Sequence, residues 1–288
     1  MLAITGANGH LGQATIQALL TKVPASEIIA VVRDPQKATA LQAQGVQVRA
    51  GDYNDQASLT AAFQGADKVL LISTTETELE LRRQQHRNVI DAAKQAGVPH
   101  LIYTSVVNPS FGSPFVASPG HAATEADLRA SGLGYTIFRN TLYLDLIPGL
   151  IGEGTLPSGK YHSAAGEGKV SYALRSEIGE ALANALTGSG HENQVYDIAP
   201  APAYSMHDVA RTLGEVSGQP VEYVAISNDN LKAALREHHL PEPVVSLLAG
   251  MTQAMEQDEF NLSSPAFEQL LGRKPTDLRQ FLTGIYGK

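Results

Sequence analysis

Short apolar runs alternate with amphipathic stretches along the first half of the chain. Leu2–Thr5, Ile28–Val32, Val46–Arg49, Val69–Ile72, Leu101–Thr104 and Tyr135–Phe138 are compact and rich in β-branched side chains, the pattern of buried strands. Between them, Leu11–Leu20, Pro35–Gln44, Gln56–Phe63, Leu79–Gln95 and His121–Ala130 repeat apolar positions with the period of a helix that buries one face. Gly45, Gly65, Gly97 and Gly132 stand where such helices should stop, because glycine accepts the left-handed conformation that closes a last turn. Strands that alternate with helices of this length need crossovers between parallel neighbours, which predicts an α/β fold with a doubly wound parallel sheet.

After Asn140 the rhythm changes. Residues 148–170 are rich in glycine and proline and read as a loop over a cleft. Ser176–Leu186 has a helical pattern and Gln194–Ile198 that of one more strand. Beyond Pro200 helices dominate. Ser205 with Asp208 forms a capping-box-like start, and Val209, Leu213 and Val216 share one face. Ser227 opens a second helix to about His238, Pro241 and Pro243 end it, and Val244–Met255 forms a third apolar stretch. The expected division is a Rossmann-type domain over residues 1–140, its sheet completed by about 172–199. A smaller, mostly helical substrate domain would come from 141–171 and 200–288.

The strongest local signal is Thr5-Gly6-Ala7-Asn8-Gly9-His10-Leu11-Gly12, placed between a predicted strand and a predicted helix. Gly6 permits a tight turn, Gly9 lets the backbone approach a pyrophosphate, and Gly12 allows close helix–strand packing. The helix start then offers free N–H groups and the positive end of the dipole, so the dinucleotide contacts fall on Gly6, Asn8, Gly9, His10, Leu11 and Gly12. Where the second strand ends, an NAD enzyme would present an acid to the ribose; here stands Arg33, with Lys37 one turn on. A guanidinium there suits a 2′-phosphate, so NADPH is expected, with NADH weaker. Asp34 beside it could take the ribose role instead, and both cations could be ordinary surface groups. Asp52-Tyr53, Ser73-Thr74-Thr75 and Ser105 each follow a strand's carboxyl end, the edge where open α/β sheets bind ligands, although turns use the same residue types.

Composition narrows the partners. The chain has 288 residues, 29 acidic and 21 basic side chains, and a net charge of −8, which disfavours nucleic acid and anionic membrane surfaces. It holds no cysteine, so disulfides, thiolate metal sites and cysteine nucleophiles are excluded. The first apolar run is too short for a signal peptide, and no stretch nears the roughly 20 apolar residues of a membrane span. A cytoplasmic monomer or homodimer is the expectation. His238-His239 are adjacent, poor geometry for chelation from one helix face, and no metal is expected.

The chain resembles the atypical short-chain dehydrogenase family that includes NmrA-like proteins, and within it the group of bacterial NADPH quinone oxidoreductase 2 and triphenylmethane reductase. The resemblance runs over nearly the whole chain. It is carried by Val23-Pro24-Ala25-Ser26, Val31-Val32-Arg33, Gly51-Asp52-Tyr53, Gln85-His86-Arg87-Asn88-Val89, Tyr103-Thr104-Ser105, Phe138-Arg139-Asn140 and Gly190-His191-Glu192-Asn193. It implies NADPH as hydride donor and cofactor contacts at Gly6–Gly12, Arg33, Ser73–Thr75 and Arg139–Asn140. The implied nicotinamide and substrate cleft lies near Ser105, Asn140 and Tyr143.

Short-chain dehydrogenases commonly use a Tyr-x-x-x-Lys proton relay. The corresponding segment here reads Gly120-His121-Ala122-Ala123-Thr124-Glu125, and Tyr103 has no lysine four positions on. Ketone reduction, which must protonate an alkoxide, is therefore poorly supported. A quinone delocalises the incoming charge, and a cationic triphenylmethane dye is neutralised by hydride, so positioning alone suffices for either. No residue is assigned as catalytic with certainty; the cleft candidates are Ser105, His121, Asn140 and Tyr143. His121 could polarise a substrate oxygen, or be a cap or surface residue at a helix start. Glu125 could orient it, but the helix dipole explains a first-turn carboxylate better. Asn140 could serve the carboxamide or ribose, or cap its strand; Tyr143 could stack on a flat substrate or pack in the core. His86 reads as packing. The alternative to an enzyme is a non-catalytic NmrA-like regulator that senses NADP(H).

Overall fold

The computed structural model describes residues 1–287. Seven parallel strands form the central sheet: β1 (Leu2–Ile4), β2 (Ile28–Val32), β3 (Gln47–Ala50), β4 (Lys68–Leu71), β5 (His100–Val106), β6 (Gly134–Asn140) and, later in the chain, β9 (Gln194–Ile198). Their spatial order is β3-β2-β1-β4-β5-β6-β9. The chain winds outward from β1 to β3, returns to pair β4 on the other side of β1, and winds outward again. The strand order therefore reverses beside β1, and the crevice beyond its carboxyl end is where doubly wound sheets take their ligands. Every residue of β2 and β5 is buried, while the edge strands β3 and β9 are half exposed, as the apolar pattern requires.

Helices α1 (His10–Leu20), α2 (Thr39–Ala43), α3 (Gln56–Ala62), α4 (Leu79–Gln95), α5 (Ser118–Ala130) and α8 (Arg175–Thr187) cover the two faces. On one side Ile4, Ala30, Leu70, Ile102 and Phe138 pack with Ile16 and Leu19 of α1 and Ile178 and Leu182 of α8. On the other, Ala3, Val69, Leu101, Tyr103 and Ile137 pack with Leu59 of α3, Val89 and Ile90 of α4 and Leu128 of α5. Neighbouring residues in each strand thus serve opposite cores, the two-residue period of a pleated sheet.

The remaining elements are α6 (Ile147–Ile151), α7 (Thr155–Ser158), β7 (Lys160–Ser163), β8 (Lys169–Val170), β10 (Tyr204–Ser205), α9 (Met206–Ser217), β11 (Glu222–Ala225), α10 (Asn228–Glu237), α11 (Glu242–Glu256), α12 (Ala266–Leu271) and α13 (Leu278–Tyr286). Tyr161, Tyr172, Val209, Leu213, Met251, Met255, Phe260 and Leu282 form a third apolar cluster, continuous with Val106 and Val107 at the end of β5. Residues 148–170, expected as loop, instead hold two short helices and two strands: β7 pairs parallel with β11 and β8 antiparallel with β10. Glycine and proline punctuate elements too short to show a period. Phe267 and Leu271 of α12 leave this cluster and pack with α1 and α8. Pro35–Gln44 is a 3-10 turn over Pro35–Ala38 followed by the short α2. Gly45, Gly65, Gly97 and Gly132 all have positive φ. The capping box at Ser205 and Asp208 and the Ser227 cap form as expected. Among the described residues, no helix is long and apolar enough to cross a membrane.

Candidate active site

The turn from β1 into α1 is tight and leaves backbone N–H groups uncovered. Gly6 sits at φ +59°, and the Gly9 N–H closes the turn on the Gly6 carbonyl at 2.9 Å. A Cβ on Gly12 would lie 2.3 Å from that carbonyl oxygen and 2.8 Å from the Ala7 Cα, so only glycine lets α1 start here. Gly9 caps α1 without a side-chain hydrogen bond, and the N–H groups of His10, Leu11 and Gly12 precede the first intrahelical bond, from Gln13 to Gly9. Gly6, Asn8, Gly9 and His10 are exposed, whereas Leu11 is buried and can offer only its backbone.

Arg33 is exposed past the end of β2 and makes no ion pair among the described residues. Asp34, its rival for the ribose, accepts the Gln36 N–H at 3.0 Å and lies 3.8 Å from the Lys37 ammonium. Lys37 is therefore already turned toward an acid, and Arg33 is the unengaged cation. Asp52 is occupied within its own turn, accepting from the Asn54 N–H at 2.8 Å. The Tyr53 hydroxyl donates to the Ile72 carbonyl at 2.6 Å and meets Thr5 Oγ1 at 2.5 Å, pinning the ends of β1 and β4 together beneath the glycine turn. Burial pushes that phenol well above its ordinary range.

The segment after β4 is held from α4. Arg82 donates through one terminal nitrogen to the carbonyls of Thr74 and Glu76, each at 2.8 Å. The Thr74 N–H donates to His86 Nε2 at 3.0 Å, and the Ser73 N–H to Thr104 Oγ1 at 3.0 Å. With Nε2 accepting, the neutral His86 ring carries its proton on Nδ1 and donates to Thr124 Oγ1 at 2.8 Å. Burial keeps His86 uncharged. His86 is thus a link as well as packing: it fixes Thr74 against α5. Thr75 is exposed on the same segment.

Between β5, β6 and α5 the polar groups form a closed set. Helix α5 begins at Ser118, earlier than the sequence suggested, because Ser118-Pro119 supplies its first turn. His121 is consequently inside the helix and buried, not a surface cap, and Glu125 lies beyond the first turn, so the dipole does not explain it. The Glu125 carboxylate accepts from Ser105 Oγ at 2.7 Å, from Arg139 Nε and a terminal nitrogen at 2.9 and 2.8 Å, and from Arg129 at 2.9 Å. Burial raises its pKa, but the bonds from Arg139 and Ser105 and the arginine charges overcome this and hold it below the ordinary value. Ser105 and Arg139 are therefore brought together by Glu125, with the Arg139 guanidinium committed to that carboxylate on the α5 side. His121 bridges Arg82, at 2.9 Å from Nε2, and the Tyr103 hydroxyl, at 2.8 Å from Nδ1. Arginine can only donate, so Nε2 accepts and Nδ1 donates to Tyr103. Burial and the Arg82 charge keep His121 neutral, and burial raises the Tyr103 phenol.

At the end of β6, Asn140 is 3% exposed, and neither its amide nitrogen nor its oxygen has a hydrogen-bond partner among the described residues. Such a group is costly unless something meets it. Tyr143, half buried, carries the Arg175 guanidinium 5.3 Å above its ring, and Arg175 is ion-paired with Asp145. Burial raises the Tyr143 phenol, and the Arg175 charge pulls it down.

This arrangement has close counterparts. The NmrA-like family profile matches residues 1–282. The chain belongs to the NmrA-like family. Quinone oxidoreductase 2 of Escherichia coli (strain K12) is 38% identical over 286 residues, covering 99% of both chains. The structure of the Escherichia coli NADPH-dependent quinone oxidoreductase complexed with NADPH superposes with a TM-score of 0.94 over 100% of each chain, at 38% identity. That of Citrobacter sp. triphenylmethane reductase complexed with NADP(H) gives 0.93 over 99% of each, also at 38% identity.

In this NmrA-like chain the residue that sequence reasoning missed is Arg82. A signal for it existed: Arg82, Gln85 and His86 continue the stripe of Val89, Ile90 and Ala93 along α4, so polar side chains occupy buried helical positions. Nothing in the sequence says what such a stripe faces. Arg175 was missed for the same reason, since its contact with Tyr143 spans two distant segments.

Proposed function

We propose that this NADPH-dependent reductase passes hydride to a flat electrophile, such as a quinone or a triphenylmethane dye, without a tyrosine–lysine proton relay. The observation that carries this reading is the burial of Tyr103, which is 0% exposed and bonded to His121 of the expected relay helix. A relay tyrosine needs contact with substrate and a depressed pKa; burial does the opposite to Tyr103.

The residues present fit the dinucleotide. The uncapped start of α1 offers backbone donors for the pyrophosphate, and Arg33 stands free for a 2′-phosphate. The unpartnered Asn140 amide suits a carboxamide at the far end. When bound, the reduced nicotinamide supplies the hydride. The chain's part is to hold the segment Ser73–Thr75 through Arg82, His86 and Thr104, and to keep water from the cleft with Tyr143 and the third apolar cluster. A quinone that accepts hydride becomes a weakly basic anion that solvent protonates, and a cationic dye becomes neutral. Neither asks the protein for a proton. Ser105 and His121 then serve as support for the cleft.

Anaerobic NADPH oxidation across quinones, cationic dyes and simple ketones, with NADH beside it, tests this. Turnover with the first two classes and little with ketones is expected. Tight NADPH binding with negligible turnover on every acceptor would instead favour a sensor.

A further inference from the structure

Buried arginines are normally paired, because an isolated charge in a protein interior is expensive. Arg139, only partly buried, still pairs with Glu125. Arg82 does not. It is 3% exposed, and among the described residues no carboxylate lies within ion-pair distance of it. Its partners are two carbonyls and the neutral His121, and its Nε–H has none. Glu76, on the held segment, is felt by Arg82 only through space: its carboxylate turns to the N–H groups of Thr77 and Glu78 at 2.9 and 3.0 Å. The fold also makes room for this cation: a Cβ on Gly120 would lie 2.4 Å from Arg82 Cδ and 2.9 Å from Nε. Arg82 thus stands between the segment after β4, the start of α5 and Tyr143, at the carboxyl ends of β4 to β6.

We propose that Arg82 is the specificity-determining cation of the acceptor cleft, its unpaired buried charge favouring acceptors that gain negative charge on taking hydride over acceptors that begin as cations. This rests on the reading of the cleft as the place where a flat electrophile is reduced, and it narrows that class to quinones. The reaction balances simply. Two electrons and one proton pass as hydride to a neutral quinone, leaving a monoanionic quinol that takes its second proton from water. The fixed guanidinium stabilises the charge as it develops. For a triphenylmethane cation, hydride bonds to the central carbon and cancels a positive charge; the same guanidinium repels the bound dye, the repulsion is only partly relieved in the transition state, and kcat/KM is lowered relative to a neutral acceptor.

The test compares wild type, Arg82→Gln and Arg82→Lys on 2-methyl-1,4-naphthoquinone and on malachite green, in the same preparations. The quinone-to-dye ratio of kcat/KM is independent of how much of each sample is folded. It should fall on the order of tenfold or more in Arg82→Gln and be largely kept in Arg82→Lys, which retains the charge. Wild type alone gives a second measurement: a naphthoquinone bearing a sulfonate should react faster than one bearing a trimethylammonium group, against the protein's net charge of −8. Both acceptors are assayed at saturating NADPH, so a change in cofactor affinity acts on them alike and leaves the ratio unmoved. An unchanged ratio in Arg82→Gln or a wild-type preference for the trimethylammonium acceptor would each overturn the assignment. Failure of wild type to oxidise NADPH with any acceptor would instead remove the reductase reading beneath it.

Discussion

Between β1 and α1 the sheet edge consists of bare backbone donors and missing side chains, whereas between β5, β6 and α5 the side chains of Tyr103, Ser105, His121, Glu125 and Arg139 already have protein partners. The first region is left open: Gly9 caps α1 without a side chain, and Arg33 makes no ion pair among the described residues. The second is finished by itself. Ser105, Glu125, Arg139 and Arg129 close one network, and Arg82, His121 and Tyr103 another. The contrast separates two tasks. Phosphates carry full charge and are held by generic donors, while a flat acceptor offers little to grip and needs a rigid, dry surface of fixed shape.

The contrast breaks most visibly if the closed networks prove dispensable. Glu125→Gln removes a buried carboxylate from three donors, and the loss should be ~3 kcal/mol in urea unfolding, the lower end for a broken buried pair because Arg139 and Arg129 are partly exposed. A loss under ~1 kcal/mol would show that the network is ornamental. The depressed Glu125 pKa sets the sign with pH: its stabilisation is complete above the ordinary carboxylate range and disappears as pH falls through the lowered folded value. The Gln variant should therefore be less sensitive to acid than wild type, as unfolding midpoints across that range would read out.

The open end should respond in binding more than in stability. Gly12→Ala forces a methyl against the Gly6 carbonyl, an overpacking of ~1–3 kcal/mol, and calorimetry should show NADPH affinity falling about tenfold or more. Undiminished affinity would mean that the turn does not hold the pyrophosphate. Arg33→Gln should weaken NADPH about tenfold and leave NADH unchanged; an equal effect on the two nucleotides would take Arg33 away from the 2′-phosphate. The smallest effect is the most pointed. Tyr103→Phe should cost ~1 kcal/mol of stability and leave quinone reduction nearly intact, against the ~10²–10⁴-fold loss expected of a proton donor. His121→Ala is the poorer probe, since it strips Arg82 and Tyr103 of a partner at once.

Local chemistry made much of this readable in advance. The strands β2 and β9 and the helix α4 fall where periodicity put them, and the glycine turn reads directly from its spacing. The expected start of α5 lies three residues late because Ser118-Pro119 carries no apolar period, and that shift made His121 a helix-start residue and Glu125 a first-turn carboxylate. The strands β7, β8, β10 and β11 are too short to leave a pattern, and their pairings join segments far apart in the chain.

The sequence by itself determined the α/β order, the glycine turn and the cation past β2, since each rests on neighbours in the chain and on backbone conformations that few residues allow. Only the tertiary structure decided which charges are paired. Glu125 with Arg139, Arg82 without an acid, and Asn140 with an unanswered amide all depend on which strands and helices come together. Burial turns the same side chains from solvated surface groups into strong electrostatic features, and burial is a property of the fold as a whole.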